Sequence, residues 1–348
     1  MQANFSNIQL GPMAIHRVGN RFRAERNFIS SELYRPDEAM QEALMKYFLK
    51  SLKRSQDWYR FQHENGPEYN ELFGFATTIF EEPERLLSES VNILEHLYRQ
   101  SSHPNIKSGE VYVAYFSDIL FGDELVSALG IFKSEQKNTF LQITKSGEML
   151  IPKKEEGFRI DKLDKGCLIL NTEKFDGYRL VSVDNNQYDA NYWLYQFLNV
   201  GFVQDENYYT RSYLELCNNF SKEVVMPAHD KKEQMQFLSD SVEYFNNNDS
   251  FNFDDFANTV VPDNEPMAAE LRNYQQNYAL GAANNFEISK PAIKSARSKF
   301  KSTIKLDNDI QIRLDLNNPD VSSEYIEKGF DEERQMSFYK IYFNEEME

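Results

Sequence analysis

Between residues 109 and 184 the chain consists of short runs of β-branched, aromatic and aliphatic residues separated by polar clusters. The runs are VYVAYFSDILF, ELVSALGIF, TFLQIT, GCLILN and YRLVSV. Such residues favour strands, and polar turns as short as residues 133–138 leave no room for helices that cross over a sheet. The pattern therefore predicts a mainly antiparallel sheet and argues against a doubly wound parallel one.

Two amphipathic helices are predicted before this region. Pro36 is followed by Asp37 and Glu38, and proline in the first turn together with acids near the positive end of the helix dipole favours a helix start. The same arrangement recurs at Pro83 and Glu84, and the helical apolar spacing that follows ends at the turn of residues 101–105. Helices flanking an antiparallel sheet give an α+β fold.

The second half of the chain has a different pattern. Helical spacing returns between residues 208 and 280, and alternating apolar residues at 310–316 and 336–343 predict a closing pair of strands. We therefore expect an α+β domain at residues 1–204. Residues 205–348 are expected to form a helical region that includes a basic segment and the closing strand pair.

Charge is unevenly distributed along this acidic protein, which has 38 Lys and Arg against 55 Asp and Glu, a formal charge of −17. A protein of this sign is not expected to coat nucleic acid, so any DNA contact must be local. Residues 233–271, the acidic segment, contain nine acids and no base. This composition predicts solvated helices and turns that repel DNA phosphates and face away from any bound duplex.

Residues 290–305, the basic segment, contain six bases and no acid. The candidate phosphate ligands are Lys290, Lys294, Arg297, Lys299, Lys301 and Lys305. A helix starting at Pro291 would place Lys294, Arg297 and Lys301 along one side. Its opposite face would pack through Ile293, Ala296 and Phe300. Either this side binds phosphate, or it is a solvated face that pairs with the protein's own acidic helices.

Catalytic signatures are nearly absent. The sequence has no GxGxxG, GxxxxGK[ST], HExxH or GxSxG motif, and its five histidines are dispersed. We therefore predict no catalytic residues, no cofactor and no metal site. One alternative is a metal-dependent nuclease, in which Glu135 and Lys137 act downstream of Asp118 and Asp123. The favoured interpretation of that pair is a solvated hairpin tip.

Other features indicate a protein of a reducing, aqueous compartment. Cys167 and Cys217 lie 50 positions apart without metal-ligand spacing, and we expect both to be small buried hydrophobes. The N-terminus lacks the pattern of a secretory signal. The uncharged apolar stretch at residues 190–204 has only 15 residues, shorter than a membrane span of about 20. The many aromatic residues are interpreted as core rather than as stacking platforms for bases.

The C-terminal sequence carries a family resemblance. Residues 296–316 (ARSKFKSTIKLDNDIQIRLDL) and 326–343 (IEKGFDEERQMSFYKIYF) resemble the C-terminal signature of the bacterial nucleoid-associated protein family, the NdpA-like proteins. The early strand with Ala14, Ile15 and His16, the Ser-Glu-Leu at 31–33 and the two strand pairs at 111–133 and 166–184 are similar in order. The resemblance implies a cytoplasmic protein of the nucleoid that associates with DNA and contacts chromosome-associated proteins. It supplies no catalytic residues.

Three functional hypotheses follow. The first is a non-enzymatic nucleoid-associated protein that binds double-stranded bacterial chromosomal DNA through the basic segment, with little sequence specificity, and takes part in chromosome organisation. The second is an acidic protein-interaction adaptor that a partner recruits to the nucleoid. The third is the nuclease. A homo-oligomer is compatible with each of them, and no membrane partner is expected.

Overall fold

The computed structural model describes residues 3–53, 55, 57–186, 192–228, 231–262, 264–278, 283–296, 300–307, 309–315, 326–343 and 345. The chain divides into two compact units, Met1–Val203 and Gln204–Glu348. Each unit is described separately below.

The first unit is built on one eight-stranded sheet. Its strands are β1 (Ala3–Asn4), β2 (Gln9–Val18), β3 (Trp58–Phe61), β4 (Gly109–Phe121), β5 (Glu124–Ser134), β8 (Lys165–Leu170), β9 (Arg179–Asp184) and β10 (Val200–Phe202). The order is β1-β4-β5-β8-β9-β3-β10, and β2 also pairs with β4. Every pair is antiparallel, which confirms the prediction of a mainly antiparallel sheet in an α+β fold.

Three helices accompany this sheet: α1 (Glu38–Leu52), α2 (Glu71–Glu81) and α3 (Leu86–Gln100). The predicted helix start at residue 37 is confirmed, because the Asp37 carboxylate accepts a hydrogen bond from the Met40 N–H and caps α1. Helix α3 ends where the pattern predicted. Helix α2 was not predicted. Asn70 caps it by accepting hydrogen bonds from the N–H groups of Leu72 and Phe73.

The sheet is buried on both faces. In β5, Leu129 and Ile131 join the core formed with α2 and α3, whereas Ala128 and Phe132 join the core formed with α1. The ring of Phe48 in α1 stacks on Phe132 with 4.1 Å between centroids. Because successive strand residues point to opposite faces, burial of both faces requires continuous apolar runs, and all six residues of β8 are buried. A π-helical segment, Tyr192–Leu198, completes the core that the sheet forms with α2 and α3.

One hairpin of the first unit lies outside this sheet. The strands β6 (Asn138–Ser146) and β7 (Met149–Gly157) pair only with each other among the described residues. Almost every residue of both strands is exposed, on both faces of the ribbon. The TFLQIT run therefore forms a strand, as expected, but it does not join the main sheet.

The second unit is mainly helical. Its helices are α4 (Glu206–Phe220), which continues through a π-helical segment (Ser221–Val225) into α5 (Met226–Ala228), then α6 (Lys231–Asn247), α7 (Phe253–Val260), α8 (Glu265–Asn277) and α9 (Lys290–Ala296). Its core is aromatic, and Phe251 stacks on both Phe245 and Phe286.

In the described part of this unit six short strands form three antiparallel pairs: β11 (Ser250–Asn252) with β12 (Asn285–Glu287), β13 (Lys301–Lys305) with β14 (Gln311–Asp315), and β15 (Ile326–Asp331) with β16 (Met336–Ile341). Both predicted C-terminal strands are present. The two predicted strands correspond to β14 and β16. Each pairs with the strand that precedes it in the chain, β13 and β15 respectively.

Both cysteines are free thiols and fully buried, as the sequence predicted. Cys167 lies in β8 of the first unit, and Cys217 lies in α4 of the second. Burial raises the pKa of each thiol to about 12, because a thiolate is poorly solvated among apolar side chains. At neutral pH both thiols are therefore protonated.

His16 in β2 is buried in a fixed hydrogen-bond network. Its Nδ1 accepts from the Ser30 N–H at 3.1 Å, so Nε2 carries the proton and donates to the Ser90 hydroxyl at 2.9 Å. That hydroxyl donates in turn to the Leu87 carbonyl. Burial lowers the pKa of His16, because the imidazolium is poorly solvated there. Protonation at Nδ1 would also break the bond from Ser30.

We expect the first unit to lose stability as pH falls below about 6.5, the ordinary pKa of an unfolded histidine. Because the folded pKa of His16 is lower, the unfolded chain binds the extra proton, at a cost of up to about 1.4 kcal/mol per pH unit. Urea unfolding at several pH values measures this slope. The dependence of stability on pH should decrease in His16→Gln and should persist in the control His103→Gln, which changes an exposed histidine. Equal pH dependence in all three proteins would show that His16 is not its source.

Candidate nucleic-acid interface

The basic segment is not a single helix. Helix α9 spans Lys290–Ala296, and Lys301 and Lys305 are the first and last residues of β13. The predicted placement of Lys301 on a helix face is therefore wrong, because the chain is extended from residue 301 onward. The predicted burial of Ile293, Ala296 and Phe300 is confirmed, since all three lie in the core of the second unit, but Phe300 lies beyond the end of α9 and is not part of a helix face.

Lys290 is engaged within the protein. Its Nζ donates to the carbonyl oxygens of Asn246 at 3.0 Å and Asn248 at 2.6 Å, and it lies 3.4 Å from Asp249 Oδ1. These carbonyls lie at the C-terminal end of α6, where the last backbone acceptors lack helical donors and the helix dipole favours a cation. Lys290 thus ties α9 to the end of α6, and among the candidates whose side chains the structure describes it is the least available to a phosphate.

Lys294 and Lys305 are exposed, and neither has an acidic partner among the described residues. In the β13–β14 hairpin Lys305 pairs with Gln311, and Thr303 pairs with Arg313. Residues two apart share a face of a strand, so Arg313 lies on the same face as Lys305. Arg313 is also exposed. It is a further candidate phosphate ligand that the sequence pattern alone did not identify.

Arg297 and Lys299 lie outside the described residues, as does the side chain of Lys301. Their assignment as phosphate ligands therefore stays a prediction from the sequence.

The acidic segment belongs to the same unit as the basic segment and carries charge of the opposite sign. Residues 204–348 contain 15 Lys and Arg against 27 Asp and Glu. The exposed acids of the segment are Glu233, Glu243, Asp249, Asp254, Asp255, Glu265 and Glu270, whereas Asp240 is half-buried. Burial raises the pKa of the Asp240 carboxyl, and Asp263 lies outside the described residues. Within the described part of the chain, Lys290 beside Asp249 is the one candidate ligand that pairs with this segment.

The carboxylates of the nuclease hypothesis lie far apart. Asp123 is in the turn before β5, whereas Glu135 follows the opposite end of this strand of 11 residues. At about 3.3 Å per residue the two ends are separated by roughly 30–35 Å, too far to share a metal ion. Asp118 lies at a bulge of β4 with φ of 59°, nearer to Asp123 than to Glu135. No group of three metal-ligating residues occurs among the described residues.

The interpretation of Glu135 and Lys137 as a solvated hairpin tip is also wrong for Glu135. Its side chain is 4% exposed, and its carboxylate accepts a hydrogen bond of 2.8 Å from the ammonium of Lys133, which is fully buried. Lys137 is half-exposed and pairs with Glu110 at 3.0 Å. The two residues therefore have separate partners, and the pair does not present a carboxylate and an ammonium to one substrate.

Glu135 belongs to a buried charge cluster at one end of the main sheet, which consists of Lys133, Glu135, Asp164, Lys165, Asp184, Asn186 and Tyr192. Lys165 Nζ donates to both oxygens of Asp184, at 2.7 and 2.8 Å. Asp164 accepts from the backbone N–H groups of residues 135 and 136, and Asn186 bridges Glu135 and Asp164.

Lys133 is the most enclosed member of this cluster. Its Nζ donates to Glu135, to the Tyr192 hydroxyl at 3.0 Å and to the Lys107 carbonyl at 2.6 Å. Burial lowers the pKa of the Lys133 ammonium, and the adjacent Glu135 carboxylate opposes that shift. Since each charge has an oppositely charged or hydrogen-bonding partner within the cluster, we interpret it as structural.

Comparison with known proteins identifies one family. A family model described as NA37, nucleoid-associated protein YejK, matches residues 14–337, which is most of the chain. No curated protein matches the sequence. Among the described residues, no helix has the length and apolar character that a bilayer span requires.

Proposed function

The chain belongs to the family of nucleoid-associated protein YejK, and on that premise we propose that it is a non-enzymatic, cytoplasmic protein that binds bacterial chromosomal DNA directly. The proposal rests on the basic segment, where Lys294 and Lys305 are exposed and have no acidic partner among the described residues. Arg313 extends the same face of the β13–β14 hairpin. The proposed role is chromosome organisation through a local basic surface.

Contacts of this kind carry little sequence information. Lysine and arginine side chains that neutralise phosphates bind whatever the bases are, and each contact releases condensed counterions. Lys290 is not counted, since its ammonium binds α6. With about four to six contacts, the logarithm of the association constant should fall against the logarithm of salt concentration with a slope on the order of −4 to −5.

We expect Lys294→Gln/Lys305→Gln to weaken binding to duplex DNA and to reduce its dependence on salt. Both side chains are exposed, so the fold should be retained. Losing two phosphate contacts should make the slope shallower by about 2, and should lower affinity at about 0.1 M salt roughly fiftyfold. Mobility-shift titrations on two unrelated duplexes at several salt concentrations measure both quantities.

The control removes the same charge elsewhere. Lys46 and Lys222 are exposed and lie outside the basic segment, so Lys46→Gln/Lys222→Gln should leave the slope unchanged. If Lys294→Gln/Lys305→Gln is folded and binds with the affinity and slope of the parent, the basic segment is not the DNA surface. If the parent itself does not bind bare duplex, direct binding is excluded.

The acidic segment should oppose binding by long-range repulsion. Asp254 and Asp255 are exposed near the start of α7, so Asp254→Asn/Asp255→Asn should tighten DNA binding about two- to fivefold at low salt. The gain should fade above about 0.1 M salt, where the screening length is roughly 10 Å. The same mobility-shift series tests this, and unchanged or weaker binding at low salt would contradict the prediction that this segment repels DNA phosphates and faces away from the duplex.

The alternative is an adaptor that a basic partner protein recruits to the nucleoid. It is supported by the seven exposed acids of the acidic segment, whose negative charge complements a basic partner. The two proposals predict different results with purified protein. Salt-dependent binding to bare duplex favours direct contact, whereas retention on DNA only with a partner present, and its loss in Asp254→Asn/Asp255→Asn, favours the adaptor.

A further inference from the structure

Two aromatic side chains of the first unit are exposed within a stretch that is rich in arginine. Phe22 and Phe28 are each 65% exposed. They lie in residues 17–28, the arginine loop, which contains four of the 16 arginines of the chain and one acid. The first unit as a whole has 23 Lys and Arg against 28 Asp and Glu, so the loop is a local reversal of its charge.

The arginine loop is held in one conformation by buried contacts. Asn20 is fully buried, and its side-chain amide donates to the carbonyl oxygens of His103 at 2.9 Å and Ile106 at 2.5 Å. A Cβ at Gly19 would lie only 2.5 Å from the Glu25 carbonyl oxygen, so the base of the loop closes tightly. A loop that is already fixed loses little conformational entropy when it binds a ligand.

The single acid of the loop is already paired. The Glu25 carboxylate accepts hydrogen bonds from Nε of Arg23 at 2.7 Å and from the backbone N–H of Asn20 at 3.0 Å. The bond from Arg23 lowers the pKa of Glu25, so this carboxylate is charged and bound at neutral pH. Arg21 and Arg26 are exposed and have no acidic partner among the described residues. Their two guanidinium groups are therefore available to an anionic ligand.

Each exposed ring has an arginine as its neighbour. Phe22 lies in the turn of residues 21–24, directly after Arg21. Phe28 exchanges two backbone hydrogen bonds with Arg17, each 2.9 Å long. Directly opposed residues of an antiparallel pair have their side chains on the same face, so the Phe28 ring and the Arg17 side chain are adjacent. The loop thus presents aromatic rings and cations together.

This combination fits a single nucleic-acid strand better than a duplex or an acidic peptide. Proteins that hold single strands combine cations that contact the phosphates with aromatic side chains on which unpaired bases stack. A duplex stacks its bases internally and presents mainly phosphates to a surface loop, which leaves the rings without a partner. An acidic peptide pairs with arginines but offers no base to the rings. Arginine also suits this task more than lysine, since its planar guanidinium stacks on rings as well as binding phosphate.

We propose that the arginine loop is a site for single-stranded DNA, in which Phe22 stacks on an unpaired base and Arg21 and Arg26 bind phosphates. Phe28 and Arg17 supply a second ring and cation in the same loop. The inference goes beyond the proposed function, because it assigns a different form of DNA to the first unit, whereas the basic segment lies in the second. Either assignment can fail while the other holds.

Fluorescence anisotropy of a labelled oligothymidylate of about 20 nucleotides tests the phosphate contacts. The parent should bind this strand, and Arg21→Gln/Arg26→Gln should lower the affinity roughly 25-fold at about 0.1 M salt. The salt slope should become shallower by about 1.4, since each contact to a single strand contributes about 0.7. The control Lys46→Gln/Lys162→Gln removes two exposed charges elsewhere in the first unit and should leave both quantities unchanged.

Stacking is tested separately at Phe22. Phe22→Ala should weaken binding about 5- to 100-fold without changing the salt slope, because it removes a ring but no charge. Phe22→Trp should bind as tightly as the parent, and the fluorescence of the added indole should be quenched by the single strand. The control Phe175→Ala removes a ring that is 97% exposed elsewhere in the same unit, and should bind as the parent does.

Parallel titrations with duplex separate this inference from the proposed function. Lys294→Gln/Lys305→Gln should retain the parent's affinity for the single strand, and the loop variants should retain its affinity for duplex. A parent that binds duplex only, or folded loop variants that bind the single strand as the parent does, would overturn the inference alone. Equal losses on both forms of DNA in Arg21→Gln/Arg26→Gln would also overturn it. A parent that binds the single strand but not duplex would contradict the proposed function alone.

Discussion

Lys165→Met should destabilise the first unit by about 3–5 kcal/mol, because the change leaves a buried carboxylate without its counter-charge. Lys165 and Asp184 have side chains that are only 1% and 4% exposed, and their two hydrogen bonds are 2.7 and 2.8 Å long. Both tryptophans, Trp58 and Trp193, lie in the first unit, so their fluorescence during urea unfolding measures the loss there.

An exposed ion pair provides the matched control. Lys174 binds Glu81 at the same distance of 2.7 Å, but these side chains are 40% and 62% exposed. Solvent screens such a pair, so Lys174→Met should cost no more than about 1 kcal/mol. Equal midpoints for Lys165→Met and Lys174→Met would show that the buried pair contributes no more than a surface pair.

Replacing Glu135 by alanine should have an effect of similar size. The change leaves the buried Lys133 ammonium with only neutral acceptors, the Tyr192 hydroxyl and the Lys107 carbonyl, and also removes an acceptor from Asn186. A buried charge that loses its partner costs about 3–5 kcal/mol. We therefore expect Glu135→Ala to lower the urea midpoint strongly.

The double variant Lys133→Met/Glu135→Leu separates a structural role from a catalytic one. It removes both charges and keeps the volume filled, so it should recover much of the stability lost in Glu135→Ala. A structural pair also predicts that any DNA binding follows the folded fraction of each variant. If Glu135→Ala were as stable as the parent and abolished a Mg²⁺-dependent loss of DNA, the structural interpretation of Glu135 would be wrong.

The sheet could be predicted because its signal is local. The strands β4, β5, β8 and β9 are continuous runs of strand-forming residues, and short turns between such runs permit only antiparallel neighbours. Helix α2 escaped prediction because Gly74, Thr77 and Thr78 are weak helix formers within an aromatic segment. Its burial against the sheet and the Asn70 cap outweigh that weak propensity.

The basic segment could be located from charge alone, but the roles of its residues could not. The acceptors of Lys290 lie more than 40 positions earlier in the chain, so only the tertiary structure shows that its ammonium is engaged. Arg313 shares a face with Lys305 only because of the hairpin register. Glu135 resembled a solvated turn residue because it lies in a short polar stretch of the sequence. Nothing in that stretch indicates that Glu135 and Lys133 form a buried ion pair.

The two buried thiols give each unit its own chemical reporter. Cys167 is the one cysteine of the first unit and Cys217 that of the second, and alkylating reagents attack only an accessible thiolate. With both thiols enclosed and protonated in the native state, modification requires the surrounding unit to open. Mass spectrometry that distinguishes the two sites would therefore record separate opening rates for the two halves of one unlabelled chain.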